Sequence, residues 1–228
     1  MTERAPEPHV HDHHTADARH GMVHPPAASD GPAAWDERYA GVDRVWSGNP
    51  NGALVRAVEG LTPRRVLDVG CGEGADAVWL AARGWQVTAL DVSTVAVERG
   101  RRHAEDAGVE VTWLVAGLED AGDLSGRFDL VSAQYPALRV TPDAVAERIL
   151  ADAVAPGGTL LVVHHADVDV DQARANGFDP SDYVAPHDVA STLGEGWNVS
   201  LTELAPRVVS GGAGAHHQHD VVLTAVRR

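Results

Sequence analysis

The chain has 228 residues, one full domain plus an appendage at roughly 150 residues per domain. Hydrophobic residues make up 44% and charged ones 22%, a balance that excludes wholesale disorder. Its 18 basic residues, all Arg, face 33 acidic ones, and the net −15 repels phosphate backbones and anionic lipids.

In chain order, residues 1–34 hold five Pro, few large apolar residues and six of the 13 His. Such a segment cannot bury enough surface to offset its ordering entropy, so a disordered tail over 1–34 and a folded domain over 35–228 are expected. Arg65–Val69 reads as a strand stopped by glycine, followed by a helix over Asp76–Arg83. Gln86–Leu90 is strand-like and ends at Asp91; Thr94–Ala107 reads as a helix with Gly108 past its end. Val109–Val115 and Phe128–Ala133 are further strands and Asp143–Val154 a helix. A strand over Thr159–Val163, a helix over Pro186–Leu193 and strands over Trp197–Leu204 and Val221–Val226 complete the pattern. Alternation of this kind predicts an α/β, doubly wound, Rossmann-like sheet of seven strands. The final pair has no helix between its strands, and Gly211, Gly212 and Gly214 suit a reversal, so the last strand is expected to be antiparallel.

Absence of Lys removes Schiff-base chemistry, and one cysteine, Cys71, excludes an intrachain disulfide and a Cys-only zinc site. No apolar run approaches the roughly 20 residues of a membrane span. A soluble cytoplasmic protein, monomeric or homodimeric, with no nucleic-acid or membrane partner is expected.

The segment Leu67-Asp68-Val69-Gly70-Cys71-Gly72-Glu73-Gly74 joins the first strand to the following helix. Glycines there permit a sharp turn and let a ligand approach main-chain amides. Asp91, at the tip of the second strand, is placed to accept two ribose hydroxyls. The glycines alone also fit a relaxed dinucleotide fingerprint, which would make the chain an NAD-dependent oxidoreductase. Asp68 separates the readings, because its carboxylate repels a pyrophosphate and attracts an ammonium or sulfonium. Cys71 reads as a packing residue and Glu73 as an exposed residue of the first helical turn.

This loop resembles the cofactor loop of the class I S-adenosylmethionine-dependent methyltransferases, and the resemblance extends from Trp35 to Arg228. It implies that Asp68, Gly70 and Gly72 hold the methionyl end of S-adenosylmethionine and Asp91 its ribose. It also implies that Val92 and Leu118 flank the adenine; Gln134, at the end of the fourth strand, is a further expected cofactor-binding residue. Where the family often has an acidic residue after the third strand, this chain has Gly117.

Trp35-Asp36-Glu37-Arg38-Tyr39 and Trp46-Ser47-Gly48-Asn49-Pro50 precede the core. Similar segments form a lid in the small-molecule branch with thiopurine and tellurite-resistance methyltransferases. Tyr39 and Trp46 would then stack near the sulfonium and Arg38 would pair with a carboxylate; alternatively Trp35, Tyr39 and Val42 merely pack on the sheet. The acceptor side gathers Tyr135, His164-His165 and His216-His217-Gln218-His219-Asp220, with His217 and His219 on one face at strand period two. Three readings stand for these imidazoles. One is a solvated rim, and another is a catalytic group drawn from His164, His165, His217 and Tyr135. The third is a divalent metal held by His164, His165, His217 and His219 with Asp167 or Asp220. The expected activity is methyl transfer to a small molecule bearing a soft thiol or metalloid nucleophile. A non-catalytic, metal-responsive binding protein on the same fold is the other alternative.

Overall fold

The structure is a computed structural model that describes residues 31–175, 177–207, 212 and 216–228. Residues 1–30, Gly211 and Gly214 lie outside the described residues, so the expectations for the His-rich tail and for those two glycines fall there too.

Seven strands form one sheet: β1 (Arg65–Val69), β2 (Gln86–Asp91), β3 (Thr112–Val115), β4 (Phe128–Gln134), β5 (Val154–His165), β6 (Trp197–Pro206) and β7 (His219–Arg227). Their order is β3-β2-β1-β4-β5-β7-β6, and only β7 runs antiparallel to its neighbours. The expected doubly wound sheet is therefore present, and its reversal of order between β1 and β4 marks where ligands bind in such folds.

Alternating side chains feed two cores, one on each face. Leu67, Val69, Leu160 and Val162 point to one. Val66, Leu130, Leu161 and Val163 point to the other. On the second face lie α2 (Gly52–Ala57), α3 (Ala75–Ala81) and α4 (Thr94–Ala107), contributing Leu54, Leu80 and Val97. On the first lie α5 (Val145–Ala153) and α7 (Pro186–Thr192), contributing Leu150 and Val189. The α4 boundaries follow from its caps. Ser93 Oγ accepts the Ala96 N–H at 3.1 Å, and Gly108 takes the left-handed conformation at φ +66°.

Several elements differ from the sequence-based expectation. A helix α1 (Pro32–Ala40) begins inside the segment expected to be tail, with Pro32 at a first-turn position that tolerates the missing N–H. Two six-residue helices, α2 and α6 (Val170–Ala175), are too short to show a clear period. β3 starts at Thr112 rather than Val109, and β5 starts at Val154 because Pro156-Gly157-Gly158 is absorbed at a register shift opposite Phe128–Leu130. Among the described residues no helix is long and apolar enough to cross a membrane.

Candidate active site

The loop after β1 turns through three left-handed glycines, Gly70 (φ +69°), Gly72 (φ +51°) and Gly74 (φ +79°). The Gly70 and Cys71 N–H groups both donate to the Leu90 carbonyl of β2, at 2.9 and 3.0 Å. Around it stand three buried carboxylates, Asp68, Asp76 and Asp91. Asp76 accepts the Asn51 N–H at 2.7 Å and its Nδ2 at 2.8 Å. Asp91 accepts the Gly72 N–H and the Ser93 N–H, each at 2.9 Å, so both its oxygens already brace the loop. Asp68 Oδ2 is buried without a hydrogen-bond partner. Burial, and then the charges of Asp76 and Asp91, push the Asp68 carboxyl well above the usual carboxylate range. A site that concentrates negative charge and leaves one oxygen unsatisfied suits a cationic group and opposes a pyrophosphate.

Entrance and loop form one unit. Glu73 is nearly buried, a correction to the exposed role expected from its place in the sequence: its carboxylate accepts the Val45 N–H at 3.1 Å and the Trp46 N–H at 3.0 Å. The Arg99 guanidinium donates to Glu73 Oε1 at 2.9 Å and to the Tyr39 and Val42 carbonyls at 2.8 and 2.6 Å. Trp46 Nε1 donates to Tyr39 Oη at 2.9 Å, and a Cβ on Gly72 would lie 3.0 Å from both atoms. Tyr39 and Trp46 are thus brought against the glycine loop. Arg38 instead lies over the Trp35 ring, 5.2 Å from its centroid, and Val42 is exposed. The Asp36 carboxylate accepts the Ser93 hydroxyl at 2.6 Å and the Val95 N–H at 3.0 Å, seating α1 on the start of α4.

Replacing Glu73 by Ala is expected to release this entrance. It strands a guanidinium donor and two main-chain N–H groups, and hydrogen bonds to charged groups contribute about 1.5–3 kcal/mol each in favourable cases. A loss of about 2 kcal/mol would lower the melting temperature by roughly 4–8 °C. Limited trypsin digestion checks the location: cleavage after the exposed Arg44 should accelerate at least about tenfold, whereas unchanged protection would refute the staple.

Where the sequence reading expects the adenine, the space beside Gly117 holds Val92 Cγ1 and Asp120 Oδ2, at 3.7 and 3.6 Å from where a Cβ would stand. Asp120, on the 3-10 turn Leu118–Asp120, thus brings a carboxylate to the place where residue 117 has none. The sequence spacing concealed it, because the turn folds residue 120 back over 117. Leu118 is buried in the core. Gln134 is buried, with Nε2 donating to Ser132 Oγ at 3.0 Å and Oε1 unpartnered.

The side expected to receive the acceptor begins at Tyr135, whose backbone is left-handed (φ +52°), with Pro136 next to it lying 3.9 Å from the Cβ position of Gly70. His165 and His164 alternate on β5, so His165 joins the face of Val163 and His164 the face of Val162. Register places Asp220 of β7 opposite His165, and the Asp220 carboxylate is buried. Tyr135 Oη donates to Asp220 Oδ2 at 3.0 Å and accepts from Arg207 Nε at 3.0 Å. His165 Nδ1 is 3.4 Å from Asp220 Oδ1. The rings of Tyr135, His165, His217 and His216 stack at successive centroid distances of 4.2, 3.9 and 4.0 Å. His217 Nδ1 also meets Asp167 Oδ1 at 3.1 Å.

The expected metal set does not form, and among the described residues no three His, Cys, Asp or Glu side chains converge as a metal site. His164 leaves by the opposite face, with a buried, unpartnered Nε2, and burial lowers its pKa to about 4. His165 and His217 stack face to face at 17°, so their in-plane lone pairs run near parallel instead of converging on one point. β7 begins at His219, so His217 precedes the strand and period two does not link them. Arg207 and the anchoring role of Asp220 were missed, since their partners lie 72 and 85 positions away.

Residues 66–158 match the family model described as "Methyltransferase domain". The chain is 37% identical over 109 residues to the ubiquinone biosynthesis O-methyltransferase of Alkalilimnicola ehrlichii, covering 47% of this chain and 44% of that one. It is 39% identical over 109 residues to ribosomal RNA small subunit methyltransferase C of Chromohalobacter salexigens, covering 45% and 32%. The chain thus spans less than half the length of these curated relatives. A solved structure described as "Conversion of a Disulfide Bond into a Thioacetal Group during Echinomycin Biosynthesis" superposes with a TM-score of 0.67 at 26% identity, over 86% of this chain and 92% of that one. Magnesium protoporphyrin IX methyltransferase of Synechocystis PCC 6803 with bound SAH shares the fold at a TM-score of 0.55 and 21% identity, over 77% and 79%. Residues 66–158 thus carry a methyltransferase domain, on a fold shared with solved methyltransferases.

Proposed function

We propose that this chain methylates a small-molecule acceptor through a sulfur nucleophile. The observation that carries the donor assignment is the cluster of Asp68, Asp76 and Asp91 around the glycine loop, with one buried carboxylate oxygen lacking a partner. Asp68, Gly70 and Gly72 would hold the methionyl part of the cofactor and Asp91 its ribose. Val92, Leu118 and Asp120 would flank the adenine, with Gln134 beside the pocket. Tyr39 and Trp46 would cover the loop as the lid of the small-molecule branch, excluding water. When bound, S-adenosylmethionine supplies an electrophilic methyl group on a sulfonium.

The acceptor would enter beside Tyr135 and His165, on the side where Pro136 adjoins Gly70. A sulfur acceptor is supported by likeness to the structure concerned with disulfide-to-thioacetal conversion. An oxygen acceptor has support from the O-methyltransferase relatives and is the second reading. The net charge of −15 disfavours a nucleic-acid substrate.

Calorimetric titration with S-adenosylhomocysteine, followed by methyl transfer to a panel of thiols, phenols and amines, tests this reading. Micromolar binding with transfer to thiols supports it. Transfer confined to phenols replaces sulfur by oxygen, and absence of binding removes the assignment altogether.

A further inference from the structure

We propose that His165 is the general base that removes the acceptor's proton, with Asp220, Tyr135 and Arg207 as the residues that position it; this rests on the methyl-transfer reading above.

Strand register fixes the geometry. His165 and Asp220 are directly opposed in the antiparallel β5–β7 ladder, so their side chains rise from the same face. Nδ1 of His165 faces Asp220 Oδ1 at 3.4 Å. Asp220 is held by Tyr135 Oη at 3.0 Å and has Arg207 Nε at 3.7 Å. Arg207 Nε also donates to Tyr135 Oη, and Arg207 Nη1 donates to the His217 carbonyl at 3.3 Å. The His165 ring is clamped between Tyr135, at 4.2 Å and 27°, and His217, at 3.9 Å and 17°.

A carboxylate can only accept from a neutral imidazole, so Asp220 selects the tautomer with the proton on Nδ1. Nε2 is left with its lone pair and has no hydrogen-bond partner among the described residues. The side chain retains 19% exposure. Burial keeps His165 below the usual imidazole range, so it is neutral and ready at pH 7. The charged and titratable groups about it are Asp220, Arg207 and Tyr135, with His217, His216, His164 and Asp167 beyond.

Proton and electron bookkeeping close. Nε2 takes the proton from the acceptor S–H, and the freed sulfur pair forms the new S–CH3 bond. The sulfonium–methyl bond breaks with its pair remaining on the departing sulfur, which leaves as neutral S-adenosylhomocysteine. His165 then returns its proton to water.

Two measurements test this. In 15N-labelled, ligand-free protein, NMR should show neutral His165 protonated at Nδ1; protonation at Nε2 would overturn the assignment. Kinetically, His165→Gln should keep S-adenosylhomocysteine affinity within about twofold while lowering thiol methylation about 100-fold or more near neutral pH, the low end of general-base effects. Its rate should recover as rising pH ionises the thiol directly. Asp220→Asn should shift the acidic limb of the wild-type profile to lower pH, because it removes the carboxylate that favours the imidazolium. Tyr135→Phe, which keeps the stack, should retain more activity than Tyr135→Ala. Wild-type transfer with a His165→Gln profile unchanged would sink the base alone, whereas no cofactor binding by the wild type would sink the methyltransferase reading with it.

Discussion

Asp68→Asn should raise the melting temperature of the ligand-free protein while weakening S-adenosylhomocysteine binding at least about 100-fold. Both effects have one origin. Asp68 is only 2% exposed, one of its oxygens has no partner, and Asp76 and Asp91 crowd it. Ionising such a group in the fold is unfavourable, which is what its raised pKa records. The sign follows from linkage: with the folded pKa above the unfolded one, the stability this carboxyl contributes is complete below the unfolded pKa. It is lost as pH rises through the folded pKa. Asn removes that loss, so the variant's advantage should grow from pH 5 to pH 8 at roughly 2–4 °C per kcal/mol recovered. The ammonium of the ligand favours the ionised carboxylate, so wild-type affinity should fall as pH falls. Calorimetry and thermal melts across that range decide the matter: a variant that binds normally, or melts lower at pH 8, contradicts the cation-holding role.

Gly100→Val should be the most damaging small substitution away from the ligand, lowering the melting temperature by roughly 6–12 °C for a loss of about 3 kcal/mol. The Trp113 indole of β3 occupies a slot between α4 and the glycine loop. A Cβ on Gly100 would lie 2.5 Å from Trp113 Cη2, and one on Gly74 would meet the same atom at 2.5 Å. Glycine inside a helix normally weakens it by 0.5–1 kcal/mol relative to Ala, so a sequence-based forecast has the opposite sign. A double-mutant cycle with Trp113→Leu identifies the cause. In that background Gly100→Val should lose no more than half as much stability, and full additivity would rule the slot out.

These residues also show how far the chain could be read from its sequence. Helix α4 was legible to its ends because Ser93 and Gly108 are local stop signals. Asp68, Gly70, Gly72 and Asp91 were legible because a strand, a glycine turn and an acidic tip lie within 24 residues of one another. Glu73 was misread, since its partners Val45, Trp46 and Arg99 are 26 to 28 positions distant and nothing local announces them. The histidines invited a metal because they are close in sequence or in the sheet. Alternation along β5 then sent His164 to one face and His165 to the other, and stacking took the place of coordination. Arg207 became visible only when β6 and β7 were paired.

At Gly212 (φ +79°), between β6 and β7, the backbone rests so closely on Trp46 and Ser47 that any side chain would collide with the Ser47 nitrogen. Trp46 is therefore held from two directions, by the glycine loop through Glu73 and, together with Ser47, by the close approach of Gly212. A side chain introduced at Gly212 is expected to disturb Trp46, and with it the Trp46–Tyr39 contact over the glycine loop, far away in the sequence.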